Sequence, residues 1–125
     1  MIAIEMPVKS FESGNEIAGV VRWDGLEETD HLDIRLIWYT SGKGDRDFGV
    51  ANLMEVEGPS ASGEQPFSFL APQHPHSFSG ILVSLVWSVE VVRFPGEDAE
   101  RCDIVIAPGG REILLHLNTK ALVQT

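Results

Sequence analysis

The chain has 125 residues, 43% of them hydrophobic and 22% charged, with nineteen Asp and Glu against nine Lys and Arg for a net charge of −10. A compact chain of this length buries roughly two-thirds of its unfolded surface, so it holds a core without staples, and its composition argues against disorder of the body. The acidity opposes binding to nucleic acid or anionic membrane, both of which require positive counter-charge; the one basic cluster, Lys43 to Arg46, is diluted by Asp45 and Asp47.

One domain over residues 1–125 is the natural reading of this length. Cys102 is the single cysteine, which precludes an intrachain disulfide and fits a reducing cytoplasm. It precedes the apolar run Ile104-Val105-Ile106, so a buried thiol is expected there rather than a nucleophile. No signal peptide is expected, since no charged segment followed by an apolar one opens the chain. No stretch reaches the about 18 apolar residues of a membrane span.

Met1 to Met6 reads as a first strand, stopped by Pro7. Phe11 to Glu16 reads as a turn, with Gly14 and Asn15 suited to positive φ. Ile17 to Trp23 is the second strand, with Ile17, Gly19, Val21 and Trp23 on one face. Asp24-Gly25 marks a turn, and Leu26 to His31 an acidic loop. Leu32 to Thr40 is the third strand: Leu32, Ile34, Leu36 and Trp38 face one way, Asp33, Arg35, Ile37 and Tyr39 the other. The glycine-rich Ser41 to Gly49 reads as a loop, Val50 to Glu57 as a strand, Gly58 to Gly63 as a turn, and Pro66 to Ala71 as a strand with Phe67 and Phe69 on one face. Pro72 to Gly80 carries two prolines, which deny backbone donors, so regular structure is not expected in it.

The strongest signal in the chain follows. In Ile81 to Val92 the odd positions Ile81, Val83, Leu85, Trp87, Val89 and Val91 are all large and apolar, while both serines and Glu90 fall on even ones. This is the period-2 signature of a long strand with one face in a core. Phe94 to Asp98 is a turn, Arg101 to Ala107 a strand with Cys102, Ile104 and Ile106 on one face, and Glu112 to Asn118 reads as a last strand with a short helix as its alternative. Seven or eight short strands separated by turn signals, without helical periodicity, point to an all-β, antiparallel β-sandwich.

No catalytic constellation, cofactor motif or metal-ligand spacing emerges. His74 and His76 flank Pro75, and an extended backbone places them on one side, as two zinc ligands require. No spacing supplies a third ligand from His31, His116 or an acid, so a solvated loop is favoured. Ser41-Gly42-Lys43-Gly44 contains part of a phosphate loop in the wrong order. Glu27, Glu28, Asp30 and Asp33 lack calcium-loop spacing, and no Gly-x-Ser-x-Gly elbow occurs. Trp23, Trp38 and Trp87 all fall on inward faces, where aromatics fill cores more often than they form ligand platforms.

Three segments resemble arrestin-like domains. Ser13-Gly-Asn-Glu-Ile-Ala-Gly-Val-Val is similar to their Gly-x-x-Ile-x-Gly-x-Val strand opening, and Leu32 to Gly44 to their apolar strand and polar hairpin. Phe67-Ser-Phe-Leu-Ala-Pro, followed by Pro75-His-Ser-Phe-Ser-Gly and the long strand, is similar to the Phe-x-Phe-x-x-Pro block that precedes theirs. The resemblance covers roughly residues 13–92. It implies an immunoglobulin-like sandwich of the arrestin or sporulation-control-protein type, and an adaptor or scaffold instead of an enzyme. The charged network, phosphate sensor and receptor-binding loops of arrestins are not placed in this sequence, so no functional residue is carried over.

The expected function is therefore a non-enzymatic, cytoplasmic protein-interaction module, contacting a protein partner through an exposed sheet edge or through the loops 41–49 and 72–80. A small-ligand or carbohydrate-binding sandwich is the alternative, and self-association is left open. Neither nucleic acid nor membrane insertion is expected.

Overall fold

The computed structural model describes residues 1–42, 47–79, 83–96, 98–108 and 113–114. They form ten strand segments: β1 (Ile2–Glu5), β2 (Ser10–Phe11), β3 (Glu16–Trp23), β4 (His31–Gly42), β5 (Phe48–Glu57), β6 (Gly63–Leu70), β7 (Phe78–Ser79), β8 (Val83–Phe94), β9 (Ala99–Ile106) and β10 (Ile113–Leu114). Seven have four or more residues and correspond to strands expected from the sequence; β2, β7 and β10 are two residues each. The described residues form an all-β sandwich of two sheets. β7 lies inside the segment expected to lack regular structure. Residues 81 and 82 of the long strand and 112 and 115–118 of the last one lie outside the described residues.

The smaller sheet has the order β1-β3-β6, with every pairing antiparallel. The larger is built on β8, which pairs along one edge with β4 and along the other with β7 near its start and β9 near its end. β4 also carries β5, with a register shift between Leu36 and Ile37. Two short parallel pairings, β2 with β9 and β10 with β7, complete that sheet and depart from the all-antiparallel expectation.

Alternation dictates what lies between the sheets. Ile17, Val21, Trp23, Phe67 and Phe69 of the smaller sheet meet Leu32, Ile34, Leu36, Leu85, Trp87, Val89, Val91, Ile104 and Ile106 of the larger one. All lie at or below 7% exposure, so each contributes on the order of 1.5–3 kcal/mol of apolar burial before ordering costs are subtracted. Close approach requires glycine at Gly19: a Cβ there would sit 2.6 Å from the Glu5 carbonyl oxygen and 2.8 Å from Phe67. Gly63 lies against the Trp23 ring and Gly49 against the Trp38 ring, each directly opposite its tryptophan across the ladder. Both rings thus occupy the space that a side chain on the opposite residue would fill.

Several connections are fixed to this frame by hydrogen bonds. The expected turn at 11–16 forms with Gly14 at φ 85°; its Gly14 N–H donates to the Ala71 carbonyl at 2.8 Å, and Ala71 N–H donates back to Asn15. In the proline segment the Trp87 indole N–H donates to the Pro75 carbonyl at 2.7 Å, and buried Ser77 exchanges two hydrogen bonds with Ile106. The 72–77 stretch is therefore latched onto the sandwich, although it has no strand of its own.

The single-face reading of the long strand needs correction. Ser88, Glu90 and Val92 on its other face are also buried, as is Ile37 beside them on β4. A central strand with long side chains on both neighbours is covered on its outer side as well. Here Arg35, Phe94 and Arg101 line the same hollow as Glu90 and Val92.

The phase of the alternation is directly testable in urea denaturation. Leu36→Ala, at a fully buried inward position, is expected to cost about 2–5 kcal/mol. Leu53→Ala, at an outward position 49% exposed on the neighbouring strand, is expected to stay within about 0.5 kcal/mol of the native chain.

Candidate functional site

The face of the larger sheet turned away from the smaller one carries the chain's concentrated chemistry. β4 lines it with His31, Asp33, Arg35, Ile37 and Tyr39. Their ladder partners on β5 are Glu57, Glu55, Leu53, Val50 and Phe48, and those on β8 are Phe94, Val92, Glu90, Ser88 and Val86.

Its centre is a charged cluster. Glu90 is 5% exposed and Asp33 7%. Arg101 Nε donates to Glu90 Oε2 at 2.8 Å. Arg35 reaches both acids, Nη1 lying 3.7 Å from Glu90 Oε1 and Nη2 3.3 Å from Asp33 Oδ2. Two guanidinium groups thus answer two buried carboxylates, as burial of charge demands. The hydrogen bond to Glu90 holds the Arg101 guanidinium above its usual range, against the opposing pull of burial. Arg101 also lies 5.0 Å over the Tyr39 ring, and Arg35 5.8 Å over the Phe94 ring. Tyr39 donates its hydroxyl to the Asp103 carboxylate at 3.1 Å; partial burial first, and then this neighbouring negative charge, raise its pKa. An open hollow of about 300 Å³ lies over the cluster, lined by Arg35, Phe48, Glu90, Val92, Phe94 and Arg101 among others.

Two features flank the cluster. On the far side of β4, β5 pairs with no other strand among the described residues. It presents Phe48, Val50 and Leu53 at 50%, 48% and 49% exposure. At the His31 end, Glu55 and Glu57 stand together, and their shared hydrogen bond is the chief reason the Glu55 carboxyl titrates above its usual range.

The residues singled out in the sequence fall elsewhere. His74 and His76 have ring centroids 6.1 Å apart; among the described residues no third metal-ligating group joins them, while a cluster that had not been expected forms at His31, Asp33 and Glu55. His116 lies outside the described residues, as do residues 43–46 of the loop 41–49 and residue 80 of the loop 72–80. Trp23 and Trp87 are core residues, and Trp38 packs partly buried against the core. Cys102 faces the core half-buried, less enclosed than expected. Asp33 and Arg35 had been placed correctly on the outward face, but their link to Glu90 and Arg101 depends on the β4-β8-β9 register, which no local pattern encodes. The one local signal was Glu90 itself, an acid amid the apolar run Val86 to Val92.

Glu90→Gln keeps the shape and removes the charge that Arg35 and Arg101 answer. It is expected to cost about 1.5–3 kcal/mol in chemical denaturation, whereas Arg22→Ala, which dissolves an exposed trio with Glu5 and Glu64 on the smaller sheet, costs far less. Because the folded state raises the Tyr39 pKa, its contribution is complete below the unfolded value of about 10 and is lost as pH rises through the folded one. Denaturation midpoints followed through that alkaline range are expected to fall more steeply for the native chain than for Tyr39→Phe.

No known protein family matches the chain, and no curated protein matches it. Among solved structures it is similar to Spo0M, a sporulation control protein from Bacillus subtilis, with a TM-score of 0.60 and 18% identity. The match covers 84% of this chain and 48% of that one, so the chain spans about half of Spo0M's length. At this identity the likeness speaks for architecture: the chain has the arrestin-like β-sandwich fold found in Spo0M.

Proposed function

We propose that the chain is a non-enzymatic protein-interaction module, an adaptor or scaffold domain, which takes an extended segment of a partner protein alongside β5. The observation that carries this reading is the state of that edge. Exposed sheet edges present unpaired N–H and C=O groups and are ordinarily blunted by brevity, proline or charge. β1, at one edge of the smaller sheet, has four residues, and β6, at the other, contains Pro66. β5 has ten residues, no proline and three half-exposed apolar side chains on its outward face. Backbone pairing there would supply affinity, and side chains alternating against Phe48, Val50 and Leu53 would supply selectivity.

Charge narrows the partner. The acidic chain, with Glu55 and Glu57 beside the apolar residues, favours a neutral or basic segment in which apolar residues alternate with Lys or Arg. The cytoplasm is the proposed location, in keeping with the lone cysteine. Among the described residues no helix is long and apolar enough to cross a membrane. The small-ligand alternative has less to stand on, because the tryptophans that would have formed its platform pack in or against the core.

The test is photo-crosslinking in the source cell, with a photoreactive residue replacing Val50 or Leu53 and, as control, the 68% exposed Leu70 of the opposite sheet. A discrete adduct with another protein is expected from the two β5 positions and not from Leu70, and it disappears in a Phe48→Lys background. An adduct of twice the chain's own mass would replace the adaptor reading with self-association. Adducts that do not distinguish β5 from Leu70 would end it.

A further inference from the structure

The β4–β5 ladder brings four donor side chains to one corner of the outer face. His31 and Asp33 are two residues apart on β4 and therefore point the same way. Glu57 lies directly across from His31, and Glu55 across from Asp33. Donor atoms of His31, Asp33 and Glu55 all lie within 4.8 Å of one another. Donors around a tetrahedral ion with bonds of about 2.0–2.1 Å stand about 3.3 Å apart, so small side-chain rotations close this cluster onto an ion.

The decisive atom is Asp33 Oδ1. Asp33 is 7% exposed, and Oδ1 is buried with no hydrogen-bond partner. Oδ2 is already engaged by Arg35 at 3.3 Å. His31 Nε2 lies 3.7 Å from Oδ1, beyond hydrogen-bond reach. A buried carboxylate oxygen without a partner is costly and calls for a cause. A carboxylate with one oxygen pinned by a guanidinium and the other left over is held as an oriented ligand, in the manner of outer-shell support at metal centres. The His31 ring is oriented too, stacked on Phe94 at 4.8 Å between centroids and 19° between planes.

We infer that His31, Asp33 and Glu55 form a binding site for a divalent transition ion of the zinc class, with Glu57 or solvent in the remaining position. Imidazole nitrogen combined with carboxylate oxygen suits zinc and its neighbours, whereas calcium and magnesium prefer oxygen alone. Arg35 is the nearest competing cation, and it sits on the opposite oxygen of Asp33. A bound ion would join β4 to the unpaired strand β5 and relieve the crowding of Glu55 against Glu57. The site is independent of the adaptor reading, which concerns the apolar half of the same face.

The test is calorimetric titration of the chelator-treated full chain with zinc chloride, alongside Glu55→Gln, His31→Gln and His74→Ala/His76→Ala. Glu55 is solvent-exposed, so its variant is expected to fold even where a change at Asp33 does not. One saturable equivalent is expected in the native chain, with affinity lowered at least about tenfold in the first two variants and unchanged in the double-histidine variant. The thermal midpoint should rise with zinc in the native chain and not in Glu55→Gln. Absence of binding tighter than about 100 µM, retention of the equivalent in Glu55→Gln and His31→Gln, or its loss only in the double-histidine variant would each overturn the assignment.

Discussion

The pairing of β4 with β8 is the constraint on which the molecule depends. It runs without interruption from His31 opposite Phe94 to Gly42 opposite Val83. Because successive residues point to opposite sides, this single register sorts the two strands at once. Leu32, Ile34 and Leu36, with Leu85, Trp87, Val89 and Val91, go to the core; Asp33, Arg35 and Glu90 go to the outer face. A slip by one residue would turn the carboxylates into the core and the aliphatic groups into water, and both moves are expensive. The ion cluster therefore also guards the register: Arg35 meets Glu90 directly across the ladder only in the observed alignment.

The two sheets treat their margins differently. The smaller one ends in a four-residue strand on one side and a proline-bearing strand on the other. The larger one keeps β9 partly covered through its pairing with β2, yet leaves β5 long, with three half-exposed apolar side chains. Around β5 the outer face divides in two. One half, from Phe48 to Leu53, is apolar and suited to another chain; the other, from His31 to Glu57, is rich in nitrogen and oxygen donors.

Period-2 alternation made β3, β4, β6, β8 and β9 legible, and with them the inward residues, because a half-buried strand writes its environment into every second side chain. The resemblance carried by Ser13 to Val21 and by Phe67 to Pro72 pointed to the architecture that the Spo0M likeness bears out. What stayed illegible depends on register. Asp33 and Arg35 read only as the outward side of the third strand, since only the ladder brings Glu90 and Arg101 to them. His31 reads as the end of a loop, whereas His74 and His76, two apart around Pro75, form the more visible pair in sequence. The two-residue segments β2 and β7 are too short for periodicity to register.

The register shift between Leu36 and Ile37 deserves its own consequence. Leu36 pairs with Asn52 and Ile37 with Val50, which leaves Ala51 as a supernumerary residue on β5. Before it, even-numbered residues face outward; after it, odd-numbered ones do, and that is why Phe48 and Val50 emerge on the same side as Leu53. Straight pairing without that offset would set Ala51 opposite Ile37 and Val50 opposite Trp38, swing Phe48 and Val50 toward the interior and push Gly49 out. The one-residue offset, more than the composition of the strand, thus determines whether the margin of the large sheet is adhesive or bland.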